Sequence, residues 1–121
     1  MRHRPRILYI DDEEDLLTLA SSFFEDESLP IETATDFTEA LNKIRAGYYD
    51  LIISDAYTPS GKVAELLSII KAEQISVGKI ILVTGSLDFQ DENQEASFDL
   101  ILYKPISFVD LLDRVKQILK I

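Results

Sequence analysis

Short apolar runs alternate along the chain with longer stretches in which apolar residues recur at helical spacing. Most of the short runs are nearly continuous in branched apolar residues, as strands buried on both faces of a sheet should be. They lie at residues 7–10, 51–53, 80–83 and 100–103, and a weaker strand at 31–34 follows Pro30. This alternation predicts an α/β fold with a doubly wound, five-stranded parallel sheet that helices cover on both faces.

The stretches between the strands predict helices whose apolar stripes face the sheet. The stripes consist of Leu16, Leu17, Ala20, Phe23 and Phe24, then Phe37, Ala40, Leu41 and Ile44, then Val63, Leu66, Leu67 and Ile70. The segment 85–97 is polar and poorly periodic, which indicates a short or irregular helix.

Polar residues and a glycine mark several helix ends. Asp36 with Glu39 and Ser107 with Asp110 have the spacing of a capping box, so two helices are predicted to begin there. Gly47 is suited to the left-handed residue that ends a helix. These boundaries are therefore predicted by local chemistry as well as by the apolar pattern.

The last helix carries an apolar stripe with two possible uses. Its members are Phe108, Leu111, Leu112, Val115, Ile118 and Leu119. The stripe could form a dimer seam, but packing on the core is favoured because a terminal helix must cover the last open face of the sheet. We therefore expect a monomer, or a weak dimer through the last helix and strand.

Composition limits the classes of protein to consider. The 121 residues and the 46% apolar content suit one compact domain over residues 1–121. A formal net charge of −10 disfavours direct binding to nucleic-acid phosphates. The arginines at positions 2, 4 and 6 form the one local basic excess, which we interpret as a solvated lead-in to the first strand.

Cysteine is absent, so disulfides, thiolate metal sites and a cysteine nucleophile are excluded. This composition fits a reducing cytoplasm. No apolar run approaches the length that spans a bilayer, and the apolar run near the N-terminus is too short for a signal peptide. We expect a cytoplasmic protein without membrane contact.

Polar side chains stand at or just after the ends of four predicted strands. Asp11 and Asp12 follow the first strand, Asp55 the third, Thr84 the fourth and Lys104 the fifth. The carboxyl ends of parallel strands lie along one edge of a sheet, where ligands bind at the topological switch point. These distant residues are therefore predicted to form one site.

The predicted site would hold three carboxylates, one ammonium and one hydroxyl. Close anions repel by on the order of a few kcal/mol, so the cluster needs raised pKa values or a cation. Mg²⁺ or Mn²⁺ suits the oxygen ligands, whereas the histidine and thiolate ligands of zinc are missing. With a metal bound, a carboxylate can attack phosphorus while Lys104 and Thr84 stabilise the phosphoryl oxygens.

Each of these residues also has a purely structural interpretation. The acidic run 11–15 could simply favour the positive N-terminus of the first helix. Taken singly, Asp55, Thr84 and Lys104 are ordinary turn or strand-end residues. The joint placement of acid, acid, hydroxyl and base at four strand ends is what favours a functional site.

Four short motifs carry a resemblance to a known family. They are Leu8-Tyr9-Ile10-Asp11-Asp12, the segment 50–55 with Pro59 and Gly61 behind it, Val83-Thr84-Gly85, and Lys104-Pro105. In this order and approximate spacing they resemble the receiver domains of response regulators over residues 6–121. The resemblance implies a flavodoxin-like (βα)5 fold with strand order 2-1-3-4-5, and a single receiver domain without an output domain.

The resemblance implies a metal site and a phosphoacceptor. Asp55 would be the phosphoacceptor, and Asp12 and Asp55 would bind Mg²⁺ directly. Asp11 would act through a water molecule, and the main-chain carbonyl of Tyr57 would complete the protein ligands.

Further residues would contact the phosphoryl group by the same resemblance. The main-chain N–H groups of Tyr57 and Gly85 would face the phosphoryl oxygens, as would the side chains of Thr84 and Lys104. The peptide before Pro105 would be cis, a form that a peptide bond preceding proline adopts at small cost.

The chain departs from the family pattern at two points. Ile101 stands where the family often has an aromatic residue that rotates inward, and Tyr103, on the same face, is a weak candidate to replace it. The bulky Tyr57 could shield an acyl phosphate from water and alter its lifetime.

The function that the resemblance implies is a switch in a two-component phosphorelay. A histidine kinase or histidine phosphotransfer protein would phosphorylate Asp55 and so change the binding of an unidentified downstream protein. The chain would promote only its own phosphorylation and dephosphorylation. The alternative is a receiver-like scaffold that works without phosphorylation. An aspartyl phosphatase would want a second acid where Tyr57 stands, and the acidic run 11–15 would repel the phosphate of FMN.

Overall fold

The computed structural model describes residues 4–85 and 97–121. The elements in chain order are β1 (Ile7–Ile10), α1 (Glu14–Asp26), β2 (Glu32–Ala34), α2 (Phe37–Ala46), β3 (Leu51–Ser54), β4 (Tyr57–Thr58), β5 (Gly61–Lys62), α3 (Val63–Ala72), β6 (Lys79–Thr84), β7 (Leu100–Tyr103) and α4 (Phe108–Leu119). Within this part of the chain, every helix is too short or too polar to cross a bilayer. The helix predicted in segment 85–97 falls mostly on residues 86–96, outside the described residues.

The main sheet confirms the predicted topology. Five parallel strands lie in the order β2-β1-β3-β6-β7, which is the predicted order 2-1-3-4-5 with β6 and β7 as the fourth and fifth strands. The numbering differs because β4 and β5 form a separate antiparallel hairpin directly after the third strand. The apolar pattern did not predict this hairpin, because its strands are only two residues long.

The side chains of β1 alternate between the two faces of the sheet. Leu8 and Ile10 pack in a core with α2 and α3, whereas Ile7 and Tyr9 pack in a second core with α1 and α4. All of β1 is buried because both faces are covered, which explains its unbroken apolar sequence. Burying one large apolar side chain stabilises the fold by roughly 1.5–3 kcal/mol.

The apolar stripe of α4 packs on the protein core. Leu111, Leu112 and Val115 are buried, and Phe108 and Ile118 pack against the same cluster. The preference for core packing over a dimer seam is therefore confirmed for this stripe. A weak dimer through the remaining surface of α4 and β7 stays a prediction.

Both predicted capping residues begin helices. The Asp36 carboxylate accepts a hydrogen bond from the Glu39 N–H at 2.8 Å, and the Ser107 hydroxyl accepts one from the Asp110 N–H at 3.1 Å. The Glu39 carboxylate accepts a hydrogen bond from the Thr35 N–H, just before α2, at 3.2 Å. Helix-end donors that have no partner within the helix are thus satisfied by side chains.

The prediction that Gly47 is left-handed was wrong. It follows α2 with φ −166° and ψ 162°, an extended conformation that any residue adopts. Glycine suits this position for a different reason, since a Cβ atom here would overlap the guanidinium of Arg6. A contact between distant segments, rather than the local backbone, therefore favours glycine.

Arg6 ties the lead-in of β1 to the neighbouring strand. Its guanidinium donates hydrogen bonds to the Glu32 carboxylate at 2.8 and 3.1 Å and lies 4.5 Å from the centre of the Tyr49 ring. The Tyr49 hydroxyl donates to the other oxygen of Glu32 at 2.9 Å. Arg4 and Arg6 are exposed, as the interpretation of a solvated lead-in predicted, and the contacts of Arg6 with Glu32 and Tyr49 were not predicted. Residue 2 lies outside the described residues.

Tyr49 is expected to make stability sensitive to alkaline pH. Burial, followed by the hydrogen bond and charge of Glu32, raises the pKa of Tyr49 to about 12, against roughly 10 in an unfolded chain. Its contribution to stability is therefore fully present below pH ~10 and is lost as the pH rises towards ~12. We expect the free energy of unfolding, measured by urea denaturation, to fall across this window by on the order of 1 kcal/mol more in wild type than in Tyr49→Phe.

The neighbouring Tyr48 supplies a matched control for this prediction. Its side chain is exposed, so Tyr48→Phe should follow the wild-type pH dependence. Parallel curves for wild type and Tyr49→Phe would contradict the prediction.

Candidate functional site

Backbone hydrogen bonds that continue the sheet hold the predicted site residues at its carboxyl edge. In each bond, a residue at or just past a strand end donates its N–H to a carbonyl of the neighbouring strand. The donors and acceptors are Asp11 and Ala34 at 3.1 Å, Asp55 and Ile10 at 3.0 Å, and Lys104 and Thr84 at 2.9 Å. Each loop thus leaves the sheet in register with its neighbour, so distant side chains converge.

Lys104 bridges two of the aspartates. Its Nζ donates to Asp11 Oδ2 at 2.9 Å and to Asp55 Oδ2 at 3.1 Å. Partial burial alone would lower the pKa of Lys104, but the hydrogen bonds and negative charges of Asp11 and Asp55 outweigh it and raise that pKa. The lysine is therefore a cation held between two carboxylates.

Backbone donors orient the second oxygen of each carboxylate. Asp11 Oδ1 accepts from the Glu13 N–H at 2.9 Å, and Asp55 Oδ1 accepts from the Ala56 N–H at 2.7 Å. The Asp11 side chain is fully buried, while 16% of the Asp55 side chain remains exposed. Asp55 is thus both fixed in orientation and open to an incoming group.

Asp12 completes an acidic cluster with Asp11 and Asp55. One carboxylate oxygen from each residue lies within 4.8 Å of the other two. Two like charges at this separation repel by on the order of 3 kcal/mol at an effective dielectric constant of 20. Lys104 supplies one positive charge against three negative ones, so the cluster retains an excess of negative charge that a cation would offset.

The donor set fits a hard divalent cation. All three candidate ligands are carboxylates, and the exposed Asp12 leaves the cluster open to an ion that keeps several waters, as Mg²⁺ does. The sequence has no cysteine and a single histidine, His3, so the usual zinc donors are lacking. The acidic run 11–15 was also interpreted as favouring the N-terminus of the first helix. Glu14 and Asp15 do lie in the first turn of α1, whereas Asp11 and Asp12 belong to the acidic cluster.

Repulsion within the cluster predicts that Asp12→Asn stabilises the metal-free protein. The substitution removes one of three close negative charges while it preserves side-chain size. We expect the free energy of unfolding in urea with EDTA to rise by about 1 kcal/mol or less, because Asp12 is exposed and its charge is partly screened. Asp113→Asn, on the exposed face of α4, is the control for a general charge effect, and an equal rise there would contradict the prediction.

Thr84 and Gly85 lie beside this cluster at the end of β6. Thr84 is 1% exposed and pairs in register with Tyr103 of the neighbouring strand. Gly85 is exposed, and a Cβ atom there would lie 3.9 Å from the Lys104 side chain. Both residues are therefore near the lysine, as their positions in the sequence predicted.

The residues predicted to take part in a switch occupy the last strand and the loop after it. Ile101 is partly buried and packs against the core formed with α2 and α3. Tyr103, the weak candidate to replace the aromatic residue that the family often has at position 101, is 51% exposed. The Lys104–Pro105 peptide is cis, as the resemblance implied.

Tyr57 lies in the hairpin that follows the phosphoacceptor candidate. Its side chain is 45% exposed. The hairpin is anchored to α2, because the Ser60 hydroxyl accepts a hydrogen bond from the Phe37 N–H at 2.9 Å. Gly61 has φ +136°, a conformation that favours glycine, and a Cβ atom there would approach Glu65.

Sequence reasoning missed two backbone donors and one side chain at this site. The N–H groups of Glu13 and Ala56 have no signature in the sequence, because every non-proline residue carries one. Tyr9 did leave a signal, since strand alternation places it on the same side as Asp11. Tyr9 is 2% exposed, and burial followed by the charge of Asp11 raises its pKa to about 12.

Comparisons of sequence identify close similarities to known proteins. A family model described as the response regulator receiver domain matches residues 7–116. The response regulator ArlR of Staphylococcus aureus is 30% identical over 117 residues, which cover 95% of this chain and 52% of that relative. The chain therefore spans about half the length of the curated relatives it matches.

Solved structures share the fold over nearly the whole chain. A CheY-like response regulator receiver domain protein from Methanospirillum hungatei superposes with a TM-score of 0.85 at 29% identity, covering 98% of this chain and 95% of that one. The response regulator TrrA from Thermotoga maritima, solved in complex with Mg²⁺–BeF, gives a TM-score of 0.80 at 31% identity, covering 94% of this chain and 98% of that one.

Proposed function

The chain belongs to the response regulator receiver family, and from this premise we propose that it is a phosphorylation-dependent switch in a two-component phosphorelay with Asp55 as phosphoacceptor. Receiver domains of this family are generally signalling domains rather than enzymes. The observation that carries the proposal is the Lys104 ammonium, which lies 2.9 Å from Asp11 and 3.1 Å from Asp55. We further propose that residues 1–121 form one receiver domain.

Asp55 is the proposed nucleophile. One of its carboxylate oxygens forms a bond to phosphorus as the phosphorus–nitrogen bond to a donor histidine breaks, and the electron pair leaves with the imidazole. The Ala56 N–H orients the carboxylate, and the partial exposure of its side chain gives a donor access. The product is an aspartyl phosphate.

Asp11, Asp12 and Asp55 are the proposed holders of Mg²⁺ or Mn²⁺, with the main-chain carbonyl of Tyr57 as a further ligand. Their oxygen donors and excess negative charge suit such an ion. When bound, the ion neutralises charge on the reacting phosphoryl group. Asp11 is fully buried and already accepts from Lys104 and Glu13, which fits its proposed action through a water molecule.

Lys104 and Thr84 are the proposed contacts of the transferred phosphoryl group. Phosphoryl transfer depends mainly on positioning and on stabilisation of the equatorial oxygens. The Lys104 ammonium already lies beside the Asp55 carboxylate and supplies a positive charge there. The buried Thr84 hydroxyl and the main-chain N–H groups of Tyr57 and Gly85 complete the proposed set.

Phosphorylation is proposed to bias a two-state rearrangement of the last strand and the loop after it. The added negative charge would draw Thr84 and Lys104 towards Asp55. Ile101 and Pro105 lie on the segment that carries Lys104, so a shift of this segment would change the surface around the exposed Tyr103. Hydrolysis by water would release inorganic phosphate and restore Asp55.

Receiver domains of response regulators interact with histidine kinases and with downstream targets. We propose that a cytoplasmic histidine kinase or phosphotransfer protein is the donor here. The response is a change in binding to a downstream protein, without direct contact to nucleic acid or membrane. The strong negative charge of the chain supports this preference.

The proposal is tested by incubating the protein with acetyl phosphate and measuring the intact mass. With Mg²⁺, the mass should increase by one phosphoryl group, and hydroxylamine should remove it because an acyl phosphate reacts with this nucleophile. EDTA should prevent the increase. No increase with Mg²⁺ would favour the scaffold alternative, and an increase that survives hydroxylamine would place the phosphate on another kind of residue.

A further inference from the structure

A cavity of about 340 Å³ opens between α1 and α4, next to Lys104. Its apolar wall is formed by Leu16, Val83, Ile106, Phe108 and Leu111. This volume lies at the lower end of the range of small-molecule sites, which are mostly apolar with few polar groups. The cavity lies on the face of the sheet that α1 and α4 cover, whereas the acidic cluster lies at the carboxyl ends of the strands.

Tyr9 supplies a polar group to the lining of this cavity. Its side chain is 2% exposed, and its hydroxyl has no hydrogen-bond partner among residues 4–85 and 97–121. Every fully enclosed side-chain nitrogen or oxygen in the described part of the chain has such a partner. The Tyr9 hydroxyl is therefore not sealed in the core, and Tyr9 is one of the residues that line the cavity.

The charges near the cavity disfavour an ionic occupant. The ammonium of Lys104 is held by Asp11 and Asp55, so the lysine is not a free cation for an anionic ligand. Those two carboxylates and the net charge of −10 would also repel an anion. A cation would have to lose its hydration against apolar walls.

We propose that this cavity binds a small, uncharged and mostly apolar molecule that accepts one hydrogen bond from the Tyr9 hydroxyl. The apolar walls would bury the body of the molecule, and the hydroxyl would select its orientation. Such a ligand would also contact Lys104 and Pro105, the residues that join the cavity to the acidic site. The proposal rests on the cavity and on Tyr9, and it does not depend on phosphorylation of Asp55.

The test compares benzophenone with diphenylmethane in titrations followed by methyl NMR of the unphosphorylated, metal-free protein. The two probes have similar shape, but only benzophenone has a carbonyl acceptor. We expect shift changes to concentrate on Leu16, Val83, Ile106 and Leu111. Benzophenone should bind about tenfold more tightly than diphenylmethane, the effect of one hydrogen bond.

Two variants separate specific binding from general adsorption. Tyr9→Phe should abolish the preference for benzophenone while it leaves diphenylmethane binding unchanged. Leu16→Trp, at a partly buried position on the wall, should fill the cavity and weaken both probes, and thermal denaturation would establish that each variant is folded.

Three outcomes would overturn the proposal. They are no saturable shifts with either probe, shifts that map to another surface, and equal affinity of the two probes for wild type. Failure of the phosphorylation test would leave these results unaffected, because both probes are titrated without metal or phosphodonor.

Discussion

Asp55→Asn is expected to abolish the phosphoryl mass increase obtained with acetyl phosphate and Mg²⁺. The substitution replaces the proposed carboxylate nucleophile with a much weaker one, so the rate should fall by more than about 100-fold. The amide oxygen can still accept the hydrogen bond that Asp55 receives from the Ala56 N–H at 2.7 Å. The measurement is intact mass against time at a fixed phosphodonor concentration.

Stability measurements separate this loss from misfolding. Asp55→Asn removes the repulsion of Asp55 from two nearby carboxylates, which offsets the loss of its ion pair with Lys104, so urea denaturation with EDTA should show no loss of stability. Asp113→Asn makes the same chemical change on exposed α4 and should gain the phosphoryl group at the wild-type rate. An undiminished mass increase in Asp55→Asn would remove Asp55 as the phosphoacceptor.

Lys104→Met is expected to impair both phosphorylation and stability. Loss of the ammonium beside Asp55 removes charge stabilisation of the phosphoryl oxygens and should slow transfer by about 100-fold. It also leaves the fully buried Asp11 without its cation partner at 2.9 Å. Breaking such a pair should cost about 2 kcal/mol in unfolding free energy, less than for a fully buried pair because Lys104 is partly exposed.

A double variant distinguishes these two effects of Lys104. In Asp11→Asn/Lys104→Met the buried residue is neutral, so most of the lost stability should return. Phosphorylation should stay slow, because this variant lacks both Lys104 and the proposed metal-holding residue Asp11. Lys116→Met removes an exposed lysine of α4 and should change neither property. Recovery of phosphorylation in the double variant would show that Lys104 acts through the fold and not on the phosphoryl group.

Both substitutions are predicted to slow phosphorylation, but only Lys104→Met is predicted to lower the free energy of unfolding. Asp55→Asn removes repulsion and activity together, whereas Lys104→Met removes attraction and activity together. The difference follows from the charge count, since the cluster has three aspartates whose oxygens lie within 4.8 Å of one another and one lysine, which bonds to two of them. Measuring both variants with and without Mg²⁺ would therefore test the electrostatic account of the site as a whole.

Apolar periodicity was sufficient to predict the main elements of the fold. The predicted strands at 7–10 and 100–103 match β1 and β7. β3 extends one residue beyond the predicted strand 51–53, and β6 extends one residue beyond each end of the predicted strand 80–83. Strands buried on both faces must be apolar at nearly every position, so their sequences are distinctive. The hairpin of β4 and β5 has two-residue strands, too short to show a period, and was missed.

The residues at the carboxyl ends of the strands could be predicted from the amino-acid sequence alone, because a strand end is a local property. The sequence therefore placed Asp11, Asp55, Thr84 and Lys104 on one edge once a parallel sheet was predicted. The type of metal could also be predicted from the sequence, because carboxylate ligands without cysteine favour a hard divalent cation such as Mg²⁺.

Tertiary structure decided the features that depend on contacts between distant segments. The two hydrogen bonds of Lys104 join residues separated by 93 and 49 positions. Gly47 is favoured by the guanidinium of Arg6, and Tyr9 lines a cavity together with residues that are remote in the sequence, such as Val83 and Phe108. Periodicity and capping motifs describe neighbours along the chain, whereas these contacts arise only when strand order and helix packing bring remote side chains together.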